Sequence, residues 1–165
     1  MVRLTGDCPL ADWEVIDLSI SSFLSGSYDY LSNTDPPTYP DGLDVEIISY
    51  RALNEAASEA RLPSEREHVT LFARNRPDRF RIGSLNQQVD LSSLRWTVDE
   101  PEDLEFVRAV YEELYPSKHD FNTSDVLALI ERRPELRLIN SNIPRNAGLS
   151  NSRATDQDWE RLQRN

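Results

Sequence analysis

The sequence is poor in lysine, glycine and cysteine. It holds one Lys, Lys118, beside seventeen Arg, and five Gly and one Cys, Cys8, in 165 residues. A lone thiol excludes an internal disulfide framework and suits a reducing cytosol, so a cytoplasmic protein is expected. No apolar run reaches the length that spans a bilayer. The opening Met1-Val2-Arg3 does not read as a charged-then-apolar leader. Bases are in deficit as well: 18 against 29 acids, for a net charge of −11. That balance argues against nucleic acid and anionic membranes as partners. A small anion such as a nucleotide would need a metal ion or a local cluster of Arg. There is also no Gly-rich loop of the kind whose backbone N–H groups cradle phosphates.

What is present describes a globular chain. Its length suits one domain, able to bury roughly 70% of the surface its unfolded form exposes. Residues 12–24 read as a helix capped by Asp12, with Trp13, Ile16, Ile20 and Phe23/Leu24 at helical spacing and Gly26 at its end. Residues 28–33 read as a short strand. A stiff loop follows over 34–42, with three prolines and the turn pair Asp41-Gly42; loops of this kind often hold side chains over a ligand. Residues 43–50 form the clearest strand pattern, and Ser49 caps a helix over 51–61. Pro63-Ser64 opens another helix, with Ser64-x-x-Glu67 as a capping box. Residues 80–85 and 94–98 read as strands. Glu100-Pro101 starts a helix with acids around its first turn and a buried stripe of Leu104, Val107, Tyr111 and Leu114. Thr123/Ser124 cap a further helix to about 132, and Pro134 starts a short apolar segment. The boundary falls near 150: residues 1–150 form the domain, and 151–165 a polar tail, expected to be frayed, in which Trp159 and Leu162 make a weak amphipathic turn. Strands alternating with helices indicate a layered α/β domain with about five strands.

Asp7 and Asp99 form the sharpest constellation. Each follows a strand-like segment and precedes a helix, so in one sheet both would lie at the same carboxyl edge, where open α/β sheets build sites. Two carboxylates there suit Mg²⁺, which takes one or two carboxylates plus substrate phosphates at about 2.0–2.1 Å. The same spacing also describes two ordinary helix-entry acids. Both readings stay open on the residues alone.

Four motifs occur in order: Leu4-Thr5-Gly6-Asp7-Cys8-Pro9-Leu10, Tyr39-Pro40-Asp41-Gly42-Leu43-Asp44-Val45-Glu46, Ser64-Glu65-Arg66-Glu67-His68-Val69-Thr70, and Arg95-Trp96-Thr97-Val98-Asp99-Glu100-Pro101-Glu102-Asp103-Leu104. Together with Ile139-Asn140 and Arg145-Asn146-Ala147-Gly148, they resemble the spore-coat polysaccharide biosynthesis, cytidylyltransferase-like family, which is related to the enzymes that make CMP-activated acidic sugars. The resemblance implies a three-layer α/β/α nucleotidyltransferase domain, Rossmann-like and GT-A-like. It implies that Asp7 and Asp99 are catalytic and bind Mg²⁺, and that Asp41, Gly42, Asp44, Glu46, Glu65 and His68 line the sugar side. The implied substrates are a nucleoside triphosphate, CTP above all, and a sugar; a homodimer is a further expectation. In that family a strand and a loop rich in Gly, Arg and Lys come first. Their counterparts would lie upstream of Met1, so the chain is expected to lack the opening strands and to bind nucleotide weakly alone. Two alternatives stand beside a sugar-activating enzyme: an inactive fragment completed by a partner chain, and a metal-dependent sugar-nucleotide glycosyltransferase, whose usual acid-x-acid pair is missing because Pro9 follows Asp7 by two.

Overall fold

The computed structural model describes residues 1–145 and, in the tail, Thr155, Asp156, Trp159, Arg161 and Leu162. Asn146-Ala147-Gly148 of the closing motif lies outside the described residues.

Strands β1 (Val2–Arg3), β2 (Tyr30–Ser32), β3 (Glu46–Ile48) and β4 (Ile82–Ser84) build one sheet in the order β1-β3-β2-β4. β3 runs antiparallel to both its neighbours, and β2 and β4 are parallel. Alternation along β3 points successive side chains to opposite faces. Ile47 joins a core with Leu43, Val45, Trp96 and the helices α1 (Trp13–Ser25), α5 (Pro101–Leu114) and α6 (Thr123–Arg132). Ile48 joins a second core with Tyr30, Phe72, Phe80 and α2 (Tyr50–Glu59), whose Ala52 and Ala56 present a small-residue face to the sheet. Helices therefore cover both faces, the three-layer arrangement expected. Two short helices, α3 (Pro63–Glu67) and α4 (Leu71–Arg74), follow α2, and a 3₁₀ turn spans Pro134–Leu138.

The caps follow the sequence chemistry closely. Asp12 accepts from the Glu14 amide at 2.8 Å and Ser49 from the Ala52 amide at 3.1 Å. Asn122, one residue before the expected Thr123, caps α6.

Four expectations are corrected. Residues 94–98 join no ladder; they meet the 41 loop through one parallel bridge, Asp41 to Arg95, then turn so that the Val98 amide reaches the Asp7 carbonyl at 2.8 Å. Ser64 makes no capping box, because Pro63 takes the first helical position. Its amide and hydroxyl donate instead to Asp156 at 2.9 and 2.5 Å, tying the described tail to α3. Trp13 is 59% exposed, since α1 buries Val15 and Ser19 instead. The buried stripe of α5 is Asp103, Phe106, Val107, Val110 and Leu114, turned so that Leu104 and Tyr111 lie outward. Asp103 fixes that turn: its carboxylate accepts the Glu100 amide at 3.0 Å and is wholly buried.

Candidate functional site

Four segments border one cavity of about 480 Å³: the turn after β1, the approach to β3, the α3–α4 junction and residues 95–100. Asp7, Asp41, Gly42, Asp44, Glu46, His68 and Asp99 all line it. Positions 7 and 99 come to the same cavity because residues 97 and 98 bond the Asp7 carbonyl, and not through a shared sheet edge: besides the Val98 amide, the Thr97 hydroxyl donates to that carbonyl at 3.2 Å. Both carboxylates are exposed toward solvent. Glu65 departs from expectation. It is 3% exposed, absent from the cavity lining, and its carboxylate takes Arg76 Nη1 at 2.6 Å. Helix α3 is little more than one turn, and it directs Glu65 inward while its C-cap, His68, reaches the cavity.

Gly42 is required by its backbone. Its φ of +103° lies where side chains are strained, and an added Cβ would sit 2.5 Å from the Thr97 nitrogen. The 41–44 turn thus passes close over 96–97, which brings Asp41 to the same guanidinium, Arg95, that holds Asp99.

The β1–β3 register sets Arg3 directly opposite Glu46, the arrangement in which opposite charges stabilise a strand pair. Arg3 and Glu46 form a salt bridge, while Glu46 Oε1 accepts from the Tyr30 hydroxyl and the Thr70 hydroxyl, each at 2.6 Å. Glu46 is thereby locked against the cavity floor. Burial and the neighbouring Glu46 raise the Tyr30 phenol, so it stays a donor.

Arg95 pairs with three carboxylates at once. Its Nε and Nη2 donate to the two oxygens of Asp103 at 2.9 and 2.8 Å, its Nη2 also to Asp99 Oδ2 at 2.7 Å, and its Nη1 to Asp41 at 3.2 Å. Burial works against the guanidinium charge, but Asp103, Asp99 and Asp41 overcome it and the group stays ionised. Arg145 ties Asp44 and Asp41 together from the other side, donating to Asp44 Oδ1 at 2.9 Å and lying 3.4 Å from Asp41 Oδ1. Burial pushes the Asp44 carboxyl up to about 6, against the pull of Arg145 and with the push of Asp41 and Glu46. Burial likewise raises Asp41, opposed by Arg145 and Arg95. Cys8 lines the cavity too, but burial pushes its thiol up to about 11, leaving it protonated and a weak nucleophile at neutral pH.

Sequence reasoning missed the arginines. Arg3, Arg74 and Arg95 line the cavity and Arg145 braces it. The available signal was compositional: seventeen of eighteen bases are Arg, the residue suited to forked pairing with carboxylates. Among the described residues no three His, Cys, Asp or Glu side chains gather closely enough to hold a metal ion by themselves.

No family model matches the chain. It is 31% identical over 140 residues to the spore coat polysaccharide biosynthesis protein SpsF of Bacillus subtilis strain 168, a match covering 82% of this chain and 56% of that protein. It is 29% identical over 149 residues to the uncharacterized protein MJ1063 of Methanocaldococcus jannaschii, covering 87% and 58%. A solved cytidylyltransferase structure from Leptospira borgpetersenii serovar Hardjo-bovis matches with a TM-score of 0.77 at 31% identity, over 87% of this chain and 59% of that one. The chain therefore spans a little over half the length of these relatives, and its α/β architecture is that of the solved cytidylyltransferase.

Proposed function

Since the chain belongs to the spore-coat polysaccharide biosynthesis, cytidylyltransferase-like family, we propose that it carries the sugar-facing part of a nucleotidyltransferase site that activates a sugar for cell-surface polysaccharide. The observation that carries this reading is the meeting of Asp7 and Asp99, ninety-two positions apart, at one cavity that also holds Asp41, Asp44, Glu46 and His68.

Asp7 and Asp99 fit a Mg²⁺ ion. They supply hard oxygen donors only, they face an open cavity, and two carboxylates leave the remaining positions to water and substrate phosphate. The ion would supply charge neutralisation for a triphosphate. The chain's own residues position the partner. Asp41, Asp44 and Glu46 offer acceptors for sugar hydroxyls, and Gly42 lets the loop approach closely. Thr70 is committed to Glu46 and keeps that carboxylate from swinging. In the reaction proposed, a sugar oxygen attacks the α-phosphorus of a nucleoside triphosphate, CTP in our reading, and pyrophosphate leaves. Orientation and charge stabilisation carry most of such a step.

Incubation with millimolar CTP, Mg²⁺ and a panel of sugars, followed by pyrophosphate release, tests the proposal. Mg²⁺-dependent release is expected, lost in Asp99→Asn while the circular dichroism spectrum stays unchanged. Wild-type release from Asp99→Asn would remove the metal assignment. No release with any nucleoside triphosphate and sugar at these concentrations would overturn the reading of this chain as active by itself and favour the fragment completed by a partner chain.

A further inference from the structure

Behind Asp99 lies a charge cluster sealed from solvent. The Arg95 side chain is 7% exposed and that of Asp103 0%, whereas Asp99 is 53% exposed toward the cavity. The guanidinium is fixed from behind. Its fork grips both Asp103 oxygens, and Asp103 is held in turn by Asn140 Nδ2 at 2.8 Å and by the Asp99 and Glu100 amides at 3.1 and 3.0 Å. Asn140 Nδ2 also donates to the Arg95 carbonyl at 2.9 Å. Arg95 therefore cannot follow Asp99 if that carboxylate rotates. It holds Asp99 Oδ2 at 2.7 Å, and Asp99 Oδ1 receives no hydrogen bond from a described residue.

We propose that Arg95 is a specificity-determining residue of this site: by occupying Asp99 Oδ2 it restricts Asp99 to single-oxygen ligation and so favours Mg²⁺ over Ca²⁺. The inference rests on the reading of Asp7 and Asp99 as cation ligands. Mg²⁺ demands a compact octahedral shell and keeps several waters, which one-oxygen carboxylates permit. Ca²⁺ takes a larger, more flexible shell and gains from bidentate carboxylates. The two ions carry the same charge, so repulsion from the guanidinium weighs on both alike. Only the denticity of Asp99 separates them.

Two variants of the full chain free Oδ2 by different routes. Arg95→Gln/Asp103→Asn removes the guanidinium together with its buried counter-charge, so no carboxylate is left buried and unpaired. Arg95→Lys keeps the charge but loses the fork, and its single ammonium is drawn to the more deeply buried Asp103. Bound Mn²⁺ is measured by loss of the free-ion electron paramagnetic resonance signal and is then displaced by Mg²⁺ or by Ca²⁺. Thermal unfolding is recorded for each variant. Ca²⁺ is expected to gain on Mg²⁺ by about tenfold in both variants, in the range by which groups that orient a ligand alter metal affinity. An equal change for both ions, or a lowered melting temperature with the wild-type ratio, would mean a charge or structural role alone and would overturn the inference. The underlying cation reading is checked separately: Mn²⁺ binding that is absent in the wild type, or undiminished in Asp99→Asn, sinks that reading and this inference with it.

Discussion

Replacing Asp103 by Asn changes one oxygen for an amide NH₂ and nothing in shape, yet it strikes the carboxylate with the most hydrogen bonds among the described residues. Asp103 accepts five hydrogen bonds on two oxygens: two from Arg95, one from Asn140, and those of the Asp99 and Glu100 amides. An amide at this position keeps one acceptor. Placing it over the Asp99 and Glu100 amides preserves the helix start, but its NH₂ then faces Arg95 Nε and Asn140 Nδ2, both donors. Arg95 also loses the counter-charge that supports its own burial. Breaking a buried pair by removing one partner costs about 3–5 kcal/mol, a large share of the roughly 5–15 kcal/mol that holds a domain together. Urea unfolding followed by tryptophan fluorescence measures it, since Trp96 is buried beside Arg95. With a slope of about 2 kcal/mol per molar urea, the midpoint falls by about 2 M. The difference also has a pH signature. Burial alone would raise the Asp103 carboxyl, but Arg95, Asn140 and the two amides overcome it and lower the group from 3.8 to about 2. A lowered carboxyl contributes stability above its unfolded value and loses it as pH falls through the folded one. The gap between wild type and variant is therefore full at neutral pH and shrinks between about pH 4 and pH 2. A loss under about 1 kcal/mol at neutral pH would place this pair with the weak, screened ones at protein surfaces, and a pH-independent gap would refute the argument that the ionised carboxylate does the work.

Three further outcomes follow from single positions. Gly42→Ala is expected to cost at least about 2 kcal/mol in urea unfolding, because φ is +103° and the new Cβ meets the Thr97 backbone; an unchanged midpoint would contradict the close approach. Val69, a β-branched residue at φ 41° on the segment that carries His68 and Thr70, stores strain of about 1 kcal/mol, so Val69→Gly should raise the melting temperature by about 2–4 °C, and a lower value would count against strain there. Asp44, raised from 3.8 to about 6, gives the opposite sign to Asp103: its contribution is present below its unfolded value and is lost as pH rises through 6. Wild type should therefore lose stability relative to Asp44→Asn between about pH 4 and pH 6, as read by thermal melts across that range; a parallel pH profile for the two proteins would show that Asp44 does not titrate there.

The sequence by itself determined the local pieces. Asp12 and Ser49 announced helix starts because their short acceptors reach free amides. Pro101 marked the start of α5 because its missing N–H costs nothing there, and Gly42 announced a turn that only Gly accommodates. Motif order was enough to indicate an α/β nucleotidyltransferase fold and to single out Asp7 and Asp99. What it could not supply were properties held between distant residues. Residues 94–98 have strand composition, but strand identity needs a ladder in register, and among the described residues they form a single bridge, Asp41 to Arg95. Glu65 and His68 look alike on one short helix; packing sends the first to Arg76 and the second to the cavity. Arg95 was visible inside a motif, but its task depends on Asp103 eight positions away, Asn140 forty-five away and Asp41 fifty-four away. Hydrogen bonding to near neighbours is written in the chain. Which of two exposed-looking acids is sealed at 0% and which stays 53% exposed at the cavity is decided only when the layers close around one guanidinium.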